Sequence, residues 1–476
     1  MKMITEQFLN SIKRKLSNEK IRINPNELKL YANDGLQLHE AVPGCVILPD
    51  STEEIAWIVK QCIKYKIPFV PRGAGTGLSG GSVISDGVII QLSRLNKILE
   101  IDIPNRCAIV QPGVVNAYLT QEVKSQGYHF APDPSSQIAS TIGGNVAENA
   151  GGPHTLKHGV TVNHVLGQTI VLPNGKITKI GGKHRYSAEL DLNSLFTGSE
   201  GTLGIISEII VNLSKNPLST RTLLLIFDKI SNATDLVTEI LLAGVIPSAL
   251  EMIDQLCIQA VENHLKIGFP KNASAILIIE LDGEIENVNW ELEQIKHISK
   301  KYVSEKIIEA TSEKDRQNLW RGRKHAAGAI GNISPAFYTN DGVVPRDKLT
   351  PILEFIQFVS RKYEMKIANL CHAGDGNIHP LILYNPKDKK EIKKAFDCST
   401  EILLKCIEYG GVLTGEHGIG IEKIHLMEKM FGEQEIELQR KIKHGFDKNN
   451  LLNPGKLIPD KMGCGELNIF NKQFSS

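Results

Sequence analysis

Apolar positions in the first part of the chain follow the periods of both helix and strand. Ser51, a common helix-capping residue type, precedes a segment whose apolar residues share one helical face, namely Ile55, Ile58, Val59, Cys62 and Ile63. The runs IPFVP (67–71) and DGVIIQL (86–92) predict strands with a long glycine loop between them. From Cys107 to about Leu213, short strands and turns are predicted, including an Asn174-Gly175 turn typical of a hairpin.

The pattern changes after Pro217. The apolar run TLLLIF (222–227) is followed by the helix-like NATDLVTEILLAG (232–244), then by PSALEMID (247–254) and ASAILIIEL (273–281), and then by a helix through Trp290 to Tyr302. Strand and helix alternate here as in an α/β sheet domain. We therefore place a domain boundary near Asn216-Pro217.

The length of 476 residues is enough for two domains. We predict an N-terminal helical segment (1–39), a first domain (40–217), a second domain (218–446) and a C-terminal segment (447–476) that returns toward the first domain. The 54 basic and 53 acidic side chains leave a formal charge of +1, which does not favour a nucleic-acid partner.

Cysteine spacing and hydropathy indicate the cellular compartment in which the protein is expected. The eight cysteines form no Cys-x-x-Cys pair, so reduced thiols in a cytoplasmic protein are expected. The first twenty residues lack the apolar core of a secretory signal, and no apolar run of 18 residues exists that could span a membrane. Any contact with the inner membrane is therefore expected to be peripheral and through a partner.

The loop PRGAGTGLSGG (71–81) contains Gly75, Gly77 and Gly80 at the G-x-G-x-x-G spacing of dinucleotide-binding folds. That motif requires a helix at its third glycine, whereas this loop runs into a predicted strand, so a Rossmann domain is rejected. Consecutive glycines still allow several backbone N–H groups to converge on one anion. A flexible turn is the alternative, but two further glycine-rich segments (140–161 and 198–206) favour phosphate binding.

Together with PDPSS (132–136), these three segments resemble the FAD-binding domain of the vanillyl alcohol oxidase and p-cresol methylhydroxylase superfamily over about residues 40–217. The resemblance implies an α+β fold, with a two-part FAD-binding domain and an α/β substrate (cap) domain that contains an antiparallel sheet. It also implies FAD contacts from the loop 71–81, from 132–136, from 143–149, from 159–161 and from 200–206. The residues expected to bind FAD are Pro71, Arg72, Gly73, Ala74, Gly75, Thr76, Gly77, Leu78, Ser79, Gly80, Pro132, Asp133, Ser135, Ser136, Gly143, Gly144, Asn145, Asn149, Gly159, Thr161, Glu200, Gly201, Gly204, Ile205 and Ile206.

Some relatives attach FAD covalently through a histidine in or near the first glycine loop. This loop carries Arg72 and Ala74 but no histidine, so noncovalent FAD is expected. His154 and His158 in the second segment are the alternative attachment points.

The segment NLCHAGDGNIHPLILY (369–384) places His372 and His379 around Asp375-Gly376. Asp-Gly is typical of a two-residue hairpin turn, which would make His372 face His379 directly across the ladder. Cross-strand partners have Cβ atoms about 5 Å apart, close enough for two imidazoles to bind one metal ion. The alternative is two histidines that merely flank a turn.

The segment TGEHGIG (414–420) supplies a third ligand, Glu416, and a neighbouring histidine, His417. Two histidines and a carboxylate suit a divalent ion, with zinc expected first and manganese or iron as alternatives. Such an ion can chelate the hydroxyl and carboxylate of an α-hydroxy acid, while His417 takes the hydroxyl proton and the Cα hydrogen leaves as hydride to flavin. Of Arg321 and Arg323, we prefer Arg323 as the partner of the substrate carboxylate, the alternative being a solvated helix face.

These motifs resemble the C-terminal domain of the FAD-linked oxidase group, which includes bacterial glycolate oxidase catalytic subunits, D-lactate dehydrogenases and D-2-hydroxyglutarate dehydrogenases. The resemblance implies metal ligation by His372, His379 and Glu416, catalysis by His417, and a position near the substrate for Asn377. Segment 334–346 looks closest to glycolate oxidase subunits. Relatives for dicarboxylic substrates carry a lysine shortly before the aspartate, whereas this chain has Thr339 and Asn340 before Asp341.

A small D-2-hydroxy acid, of the glycolate or D-lactate type, is therefore the expected substrate. A D-2-hydroxyglutarate dehydrogenase, an FAD transferase like alkyl-glycerone-phosphate synthase, and a flavin subunit without its own turnover remain alternatives. Because the chain has no cysteine cluster of its own, an external electron acceptor is expected, for which iron–sulfur subunits are candidates. A homodimer is also considered.

Overall fold

The computed structural model describes residues 4–36, 38–184, 190–303 and 307–459. The described residues form two compact units. The first unit contains 4–151, 160–216 and 416–459, and the second contains 152–159 and 217–415, apart from the undescribed positions.

The first unit contains a mixed four-stranded sheet, in the order Ile21–Arg22, Cys45–Ile47, Val88–Gln91 and Phe69–Arg72. Its last two neighbouring pairs are parallel and its first pair is antiparallel. The helix Thr52–Tyr65 covers this sheet and is capped by Ser51, whose hydroxyl accepts from the N–H of Glu54 at 3.2 Å. The predicted core face of the helix is confirmed: Ile55, Ile58, Val59 and Cys62 are fully buried, and Ile63 is partly buried.

A second sheet of the same unit is antiparallel and five-stranded, in the order Ile98–Asp102, Cys107–Val110, Ile205–Asn212, Val165–Val171 and Ile177–Gly181. The predicted Asn174-Gly175 turn joins its last two strands, and the N–H of Gly175 donates to the carbonyl of Leu172 at 2.8 Å. A small two-stranded sheet pairs Ser214–Lys215 with Tyr128–His129.

The remaining helices of the first unit are short or peripheral to these sheets. They are Glu6–Lys13, Pro25–Leu28, Asn116–Val123, Ile142–Glu148, Leu192–Phe196, Met427–Met430 and Glu433–Phe446. Residues 73–87 form neither helix nor strand, so the prediction that the glycine loop does not start a helix is confirmed.

The second unit is built on one antiparallel sheet of eight strands. Seven of them follow the order Ile308–Glu309, Ser219–Phe227, Ala275–Gly283, Ala249–Asp254, Ile367–His372, Asn377–Tyr384 and Ala336–Thr339, and Gly342–Val343 also pairs with Asn377–Tyr384. Its helices are Thr155–His158, Ile230–Leu242, Gln255–Leu265, Ile285–Ser299, Glu313–Lys324, Ala326–Ile330, Leu349–Tyr363 and Lys389–Glu408.

The central strands of this sheet are buried on both faces, as expected for a sheet covered by helices. Gln255–Leu265 and Ala326–Ile330 pack on it through the cluster around Ile253, Ile276 and Leu370. The α+β class, with an antiparallel sheet in the second part, is as predicted. Among the described residues, no helix combines the length and apolarity needed to cross a bilayer.

Candidate active site

The histidine hairpin forms, but in a register different from the predicted one. His372 pairs with Asn377, and His379 pairs with Leu370, so the turn comprises the four residues 373–376. The expectation that His372 directly faces His379 is therefore wrong. A two-residue turn of type I′ needs positive φ at both central residues. Gly376 has φ +81°, but Asp375 does not adopt positive φ.

The Asp375 side chain explains this conformation. Its Oδ1 accepts from the N–H of Asn377 at 3.1 Å, a local contact that closes the wider turn. Because side chains alternate along a strand, the observed register still places His372, Asn377 and His379 on one sheet face. The two imidazole centroids are 5.0 Å apart.

Both imidazoles are oriented through Nδ1. His372 Nδ1 lies 2.6 Å from Oε1 of Glu251, and His379 Nδ1 lies 3.2 Å from the backbone carbonyl of Asn340. A carbonyl and a carboxylate can only accept, so Nδ1 carries the proton in each ring. In a neutral imidazole this leaves the lone pair on Nε2, the nitrogen that can then ligate a metal ion.

Glu251 connects His372 to Arg323. It lies opposite His372 on the neighbouring strand, and its second oxygen, Oε2, is 2.7 Å from Nη2 of Arg323. Arg323 is buried near the end of the helix Glu313–Lys324, whereas Arg321 is exposed and donates to the carbonyl of Leu265. Of the two predicted arginines, Arg323 is thus the one next to the histidine hairpin.

Asp341 is a second buried carboxylate beside the hairpin. Its Oδ1 accepts from the side-chain amide of Asn377 at 2.9 Å and lies 4.0 Å from Nδ1 of His379. Its Oδ2 accepts from the hydroxyl of Thr414 and from the N–H of Gly415, the latter at 3.0 Å. Asp341 and His379 have ligand atoms close enough to share a metal ion.

Glu416 and His417 belong to the first unit, and Nε2 of His417 lies 3.9 Å from Oε1 of Glu416. The residues that follow them are held by Glu200. Its two carboxylate oxygens accept from the N–H groups of Ile419 and Gly420, each at 2.7 Å. Burial raises the pKa of Glu200, and these two backbone hydrogen bonds oppose that rise.

The glycine loop presents backbone N–H groups. Within the described chain, the N–H groups of residues 74–79 have no acceptor, while that of Gly80 donates to Asp34 at 2.8 Å. The Arg72 guanidinium is engaged within the protein and not directed at a ligand, because it donates to the carbonyls of Tyr31, Asn33 and Ser82. Gly75 has φ +71°, and a Cβ there would lie 2.3 Å from Nη2 of Arg72. Such a loop, rich in N–H donors, suits a diphosphate.

The other residues predicted to bind FAD lie in several segments. Pro132, Asp133, Ser135 and Ser136 occupy an irregular stretch and turn, and Gly143, Gly144 and Asn145 lie in the helix Ile142–Glu148, which Asn149 ends. Glu200, Gly201 and Gly204 precede the strand that begins with Ile205 and Ile206. Thr161 starts a short 3-10 helix in the first unit, whereas Gly159 ends the segment 152–159 of the second unit.

The two alternative attachment histidines lie in that segment, where each faces a carboxylate. His154 Nε2 is 3.4 Å from Oε1 of Glu280, and the ring lies over Trp320 with centroids 5.6 Å apart. His158 Nε2 is 3.8 Å from Oδ2 of Asp282.

Sequence reasoning did not identify Glu251 or Asp341 as site residues. The signal available for Glu251 was a carboxylate inside the apolar run PSALEMID, since a buried charge needs a partner. Asp341 follows a short strand and precedes another, and the sequence contains no comparable signal for its contacts.

Two protein domain families match most of the chain. Residues 43–181 match "FAD binding domain", and residues 216–457 match "FAD linked oxidases, C-terminal domain". The glycolate oxidase subunit GlcD of Escherichia coli (strain K12) is 43% identical over 92% of this chain and 88% of that protein. The D-lactate dehydrogenase of Anaerostipes hadrus is 32% identical over 95% of this chain and 98% of that protein.

Among solved structures, p-cresol methylhydroxylase with substrate bound aligns with a TM-score of 0.79 and 17% identity, over 96% of this chain and 98% of the other. This likeness confirms the predicted fold type. The sequence matches are more specific, because they extend through the glycine loop and the histidine hairpin. The chain therefore belongs to the FAD-linked oxidase family and is an FAD-dependent oxidoreductase.

Proposed function

We propose that this enzyme oxidises a small D-2-hydroxy acid, of the glycolate or D-lactate type, to the corresponding 2-oxo acid. The observation that carries this proposal is the pair of imidazoles on one sheet face, each oriented through Nδ1 so that Nε2 holds the lone pair. The relatives named for glycolate and D-lactate support the substrate class.

FAD would be held noncovalently by the N–H groups of residues 74–79 and by the turn and helix segments at 132–136 and 143–149. The unused donors of the loop fit a diphosphate. When bound, FAD supplies the acceptor for a hydride, which no protein side chain can provide. The loop has no histidine, and His154 and His158 each face a carboxylate, in agreement with noncovalent binding.

His372, His379 and Glu416 would hold a divalent cation, with zinc first and manganese or iron as alternatives. Chain connectivity supports Glu416 as the third ligand. The N–H of Gly415 is bound to Asp341, and consecutive Cα atoms are about 3.8 Å apart, so Glu416 begins one residue from that carboxylate. The cation would supply Lewis acidity to the substrate hydroxyl.

Arg323 would bind the substrate carboxylate with the part of its guanidinium fork that does not face Glu251. His417 would take the hydroxyl proton as the Cα–H bond breaks and the hydride departs with its electron pair. The products are a 2-oxo acid and a protonated His417, and the hydride with its electron pair would be taken up by bound FAD. Asn377, fixed by its bond to Asp341, would line the substrate position.

Asn340 supports a monocarboxylic substrate. Its Oδ1 accepts from the hydroxyl of Ser399 at 2.6 Å, and its Nδ2 donates to the Ser399 carbonyl at 3.1 Å. Since both ends of this amide are engaged, it is poorly placed to recognise a second carboxylate. This argues against D-2-hydroxyglutarate as the preferred substrate. A synthase-type transferase reaction would need a long apolar tunnel and a phosphate site, and the compact metal-type motif around His372 and His379 argues against it.

Electrons must then leave for an external acceptor, for which an iron–sulfur partner subunit is our candidate. The cysteines of the described chain are buried free thiols, a poor basis for a redox cluster. We propose a cytoplasmic location, with contact to the inner membrane only through such a partner.

The test is anaerobic mixing of the FAD-loaded enzyme with glycolate, D-lactate, L-lactate and D-2-hydroxyglutarate, while flavin absorbance is recorded. Bleaching by glycolate or D-lactate, weaker with the other two, is expected. Unchanged flavin absorbance across the whole panel would reject the proposal.

A further inference from the structure

One buried carboxylate, that of Glu251, contacts two of the residues placed in the reaction. Its Oε1 lies 2.6 Å from Nδ1 of His372, and its Oε2 lies 2.7 Å from Nη2 of Arg323. The Glu251 side chain is fully buried, and the side chains of its two partners are 5% and 6% exposed. Water therefore contributes little to stabilising the Glu251 charge, and these two groups must do so.

We propose that Glu251 is a positioning residue that orients the metal ligand His372 and the substrate-binding Arg323 through the two oxygens of one carboxylate. This inference rests on the proposed function, because it takes His372 as a ligand. A carboxylate behind a ligating imidazole fixes the tautomer and ring orientation and makes the ligand more basic. Glu251 also lies between the guanidinium and the imidazole, where its negative charge reduces repulsion between Arg323 and a cation bound at His372.

A second buried glutamate, Glu280, lies in the same sheet and contacts the same helix as Glu251. It therefore serves as a control that separates anchoring of this helix from orientation of His372. Glu280 lies on the strand next to that of Glu251 and contacts Nε and Nη2 of Arg316, each at 2.8 Å. Arg316 and Arg323 belong to the same helix, Glu313–Lys324. Glu280 also accepts from Trp320 and Thr222, and the histidine beside it, His154, is not a proposed ligand. Both glutamates thus attach one helix to one sheet, but Glu251 is the one that contacts His372.

The expected effects of changing Glu251 and Arg323 differ in kind. In Glu251→Gln the amide oxygen can still accept from His372, but the charge is lost and the amide group faces Arg323 with an N–H donor. Metal affinity should therefore fall. In Arg323→Met the carboxylate remains beside His372 without its cationic partner, so metal affinity should be kept or should rise, while the KM for the hydroxy acid increases.

The experiment is a zinc titration of chelator-treated, FAD-loaded protein against a chromophoric competitor. Wild type, Glu251→Gln, Glu280→Gln and His372→Ala are compared, and thermal unfolding of each is recorded without metal. We expect Glu251→Gln to bind zinc about 10- to 100-fold more weakly than wild type, as is usual for the loss of such a partner. Glu280→Gln should lose thermal stability and keep wild-type zinc affinity.

The outcomes separate two failures. If wild type binds no zinc, and binds neither manganese nor iron when these replace zinc in the titration, the proposed function fails and this inference fails with it. If wild type binds and His372→Ala does not, but Glu251→Gln binds like wild type, only the role of Glu251 is overturned. Should Glu251→Gln not fold, Glu251→Asp provides the same test, because its shorter side chain keeps the charge and loses the reach. Wild-type zinc affinity in Glu251→Asp together with wild-type KM would then overturn the inference.

Discussion

The side-chain amide of Asn377 donates a hydrogen bond of 2.9 Å to Oδ1 of Asp341, and both residues are buried. The second oxygen of Asp341 accepts from Thr414 and from the N–H of Gly415. Asp341 therefore ties the histidine hairpin to the residue that precedes Glu416 in the chain. A change at Asp341 should therefore affect both the stability of the fold and the position of Glu416, a proposed metal ligand.

Asp341→Asn should lower both stability and metal affinity. The substituted amide cannot accept from all these donors, and an unsatisfied buried group costs about 1–3 kcal/mol. Denaturant unfolding measures the loss of stability, and the zinc titration measures the loss of affinity. Asp347→Asn is the matched control, since Asp347 is exposed and pairs only with Lys348 among the contacts described for it. Equal behaviour of the two variants would contradict the role given to Asp341.

Gly75→Ala should release FAD. Gly75 has φ +71° and a Cβ there would collide with the Arg72 guanidinium, which is held by three carbonyls, so either the loop or that guanidinium must move. Gly127→Ala is the control, because Gly127 has φ +84° but open space around its Cβ position. Each substitution introduces backbone strain of about 1–2 kcal/mol. Only Gly75→Ala should weaken FAD binding, measured by quenching of flavin fluorescence. Equal FAD loss in both variants would mean that the loop is not the diphosphate site.

Glu148→Gln should stabilise the protein at neutral pH. Burial raises the pKa of Glu148 well above its ordinary value, the Glu200 and Asp34 carboxylates raise it further, and Lys423 opposes the rise. With a raised folded-state pKa, the folded protein holds a proton that the unfolded chain releases. Wild-type stability therefore falls as pH rises above the ordinary carboxyl pKa of about 4.3, by at most about 1.4 kcal/mol per pH unit from this group.

Thermal unfolding between pH 4 and 8 checks this expectation. The stability advantage of Glu148→Gln over wild type should grow with pH and disappear at the acidic end. Glu27→Gln, a change at an exposed position, should follow wild type throughout. A difference between Glu148→Gln and wild type that does not vary with pH would contradict the assignment.

Local sequence patterns were sufficient to predict the elements that are stabilised by contacts between residues near each other in the sequence. The helix Thr52–Tyr65 follows its capping residue and apolar face, and the glycine loop follows from its composition. The histidine pair on one sheet face also follows from strand alternation around a turn. The exact register does not, because it depends on the Asp375 side chain accepting from Asn377 in place of a two-residue turn.

The contacts of Glu251 and Asp341 could not be predicted in this way. Glu251 meets His372 only because two strands 121 residues apart in the chain lie side by side. Asp341 meets Gly415 across 74 residues. Hydrophobic periodicity carries no information about which strands become neighbours in an antiparallel sheet. Positioning residues such as Glu251 and Asp341 are therefore missed, even though the residues that they position can be found from the sequence.

The central claim is that the histidine hairpin holds a metal ion required for oxidation of the hydroxy acid, separately from FAD binding. The most direct measurement is anaerobic reduction of the flavin by D-lactate in wild type and in His379→Ala, with metal and FAD content determined on the same samples. We predict that wild type contains one metal ion per FAD and is bleached, whereas His379→Ala keeps its FAD, lacks the metal and stays yellow. Bleaching of metal-free His379→Ala at the wild-type rate would contradict the claim.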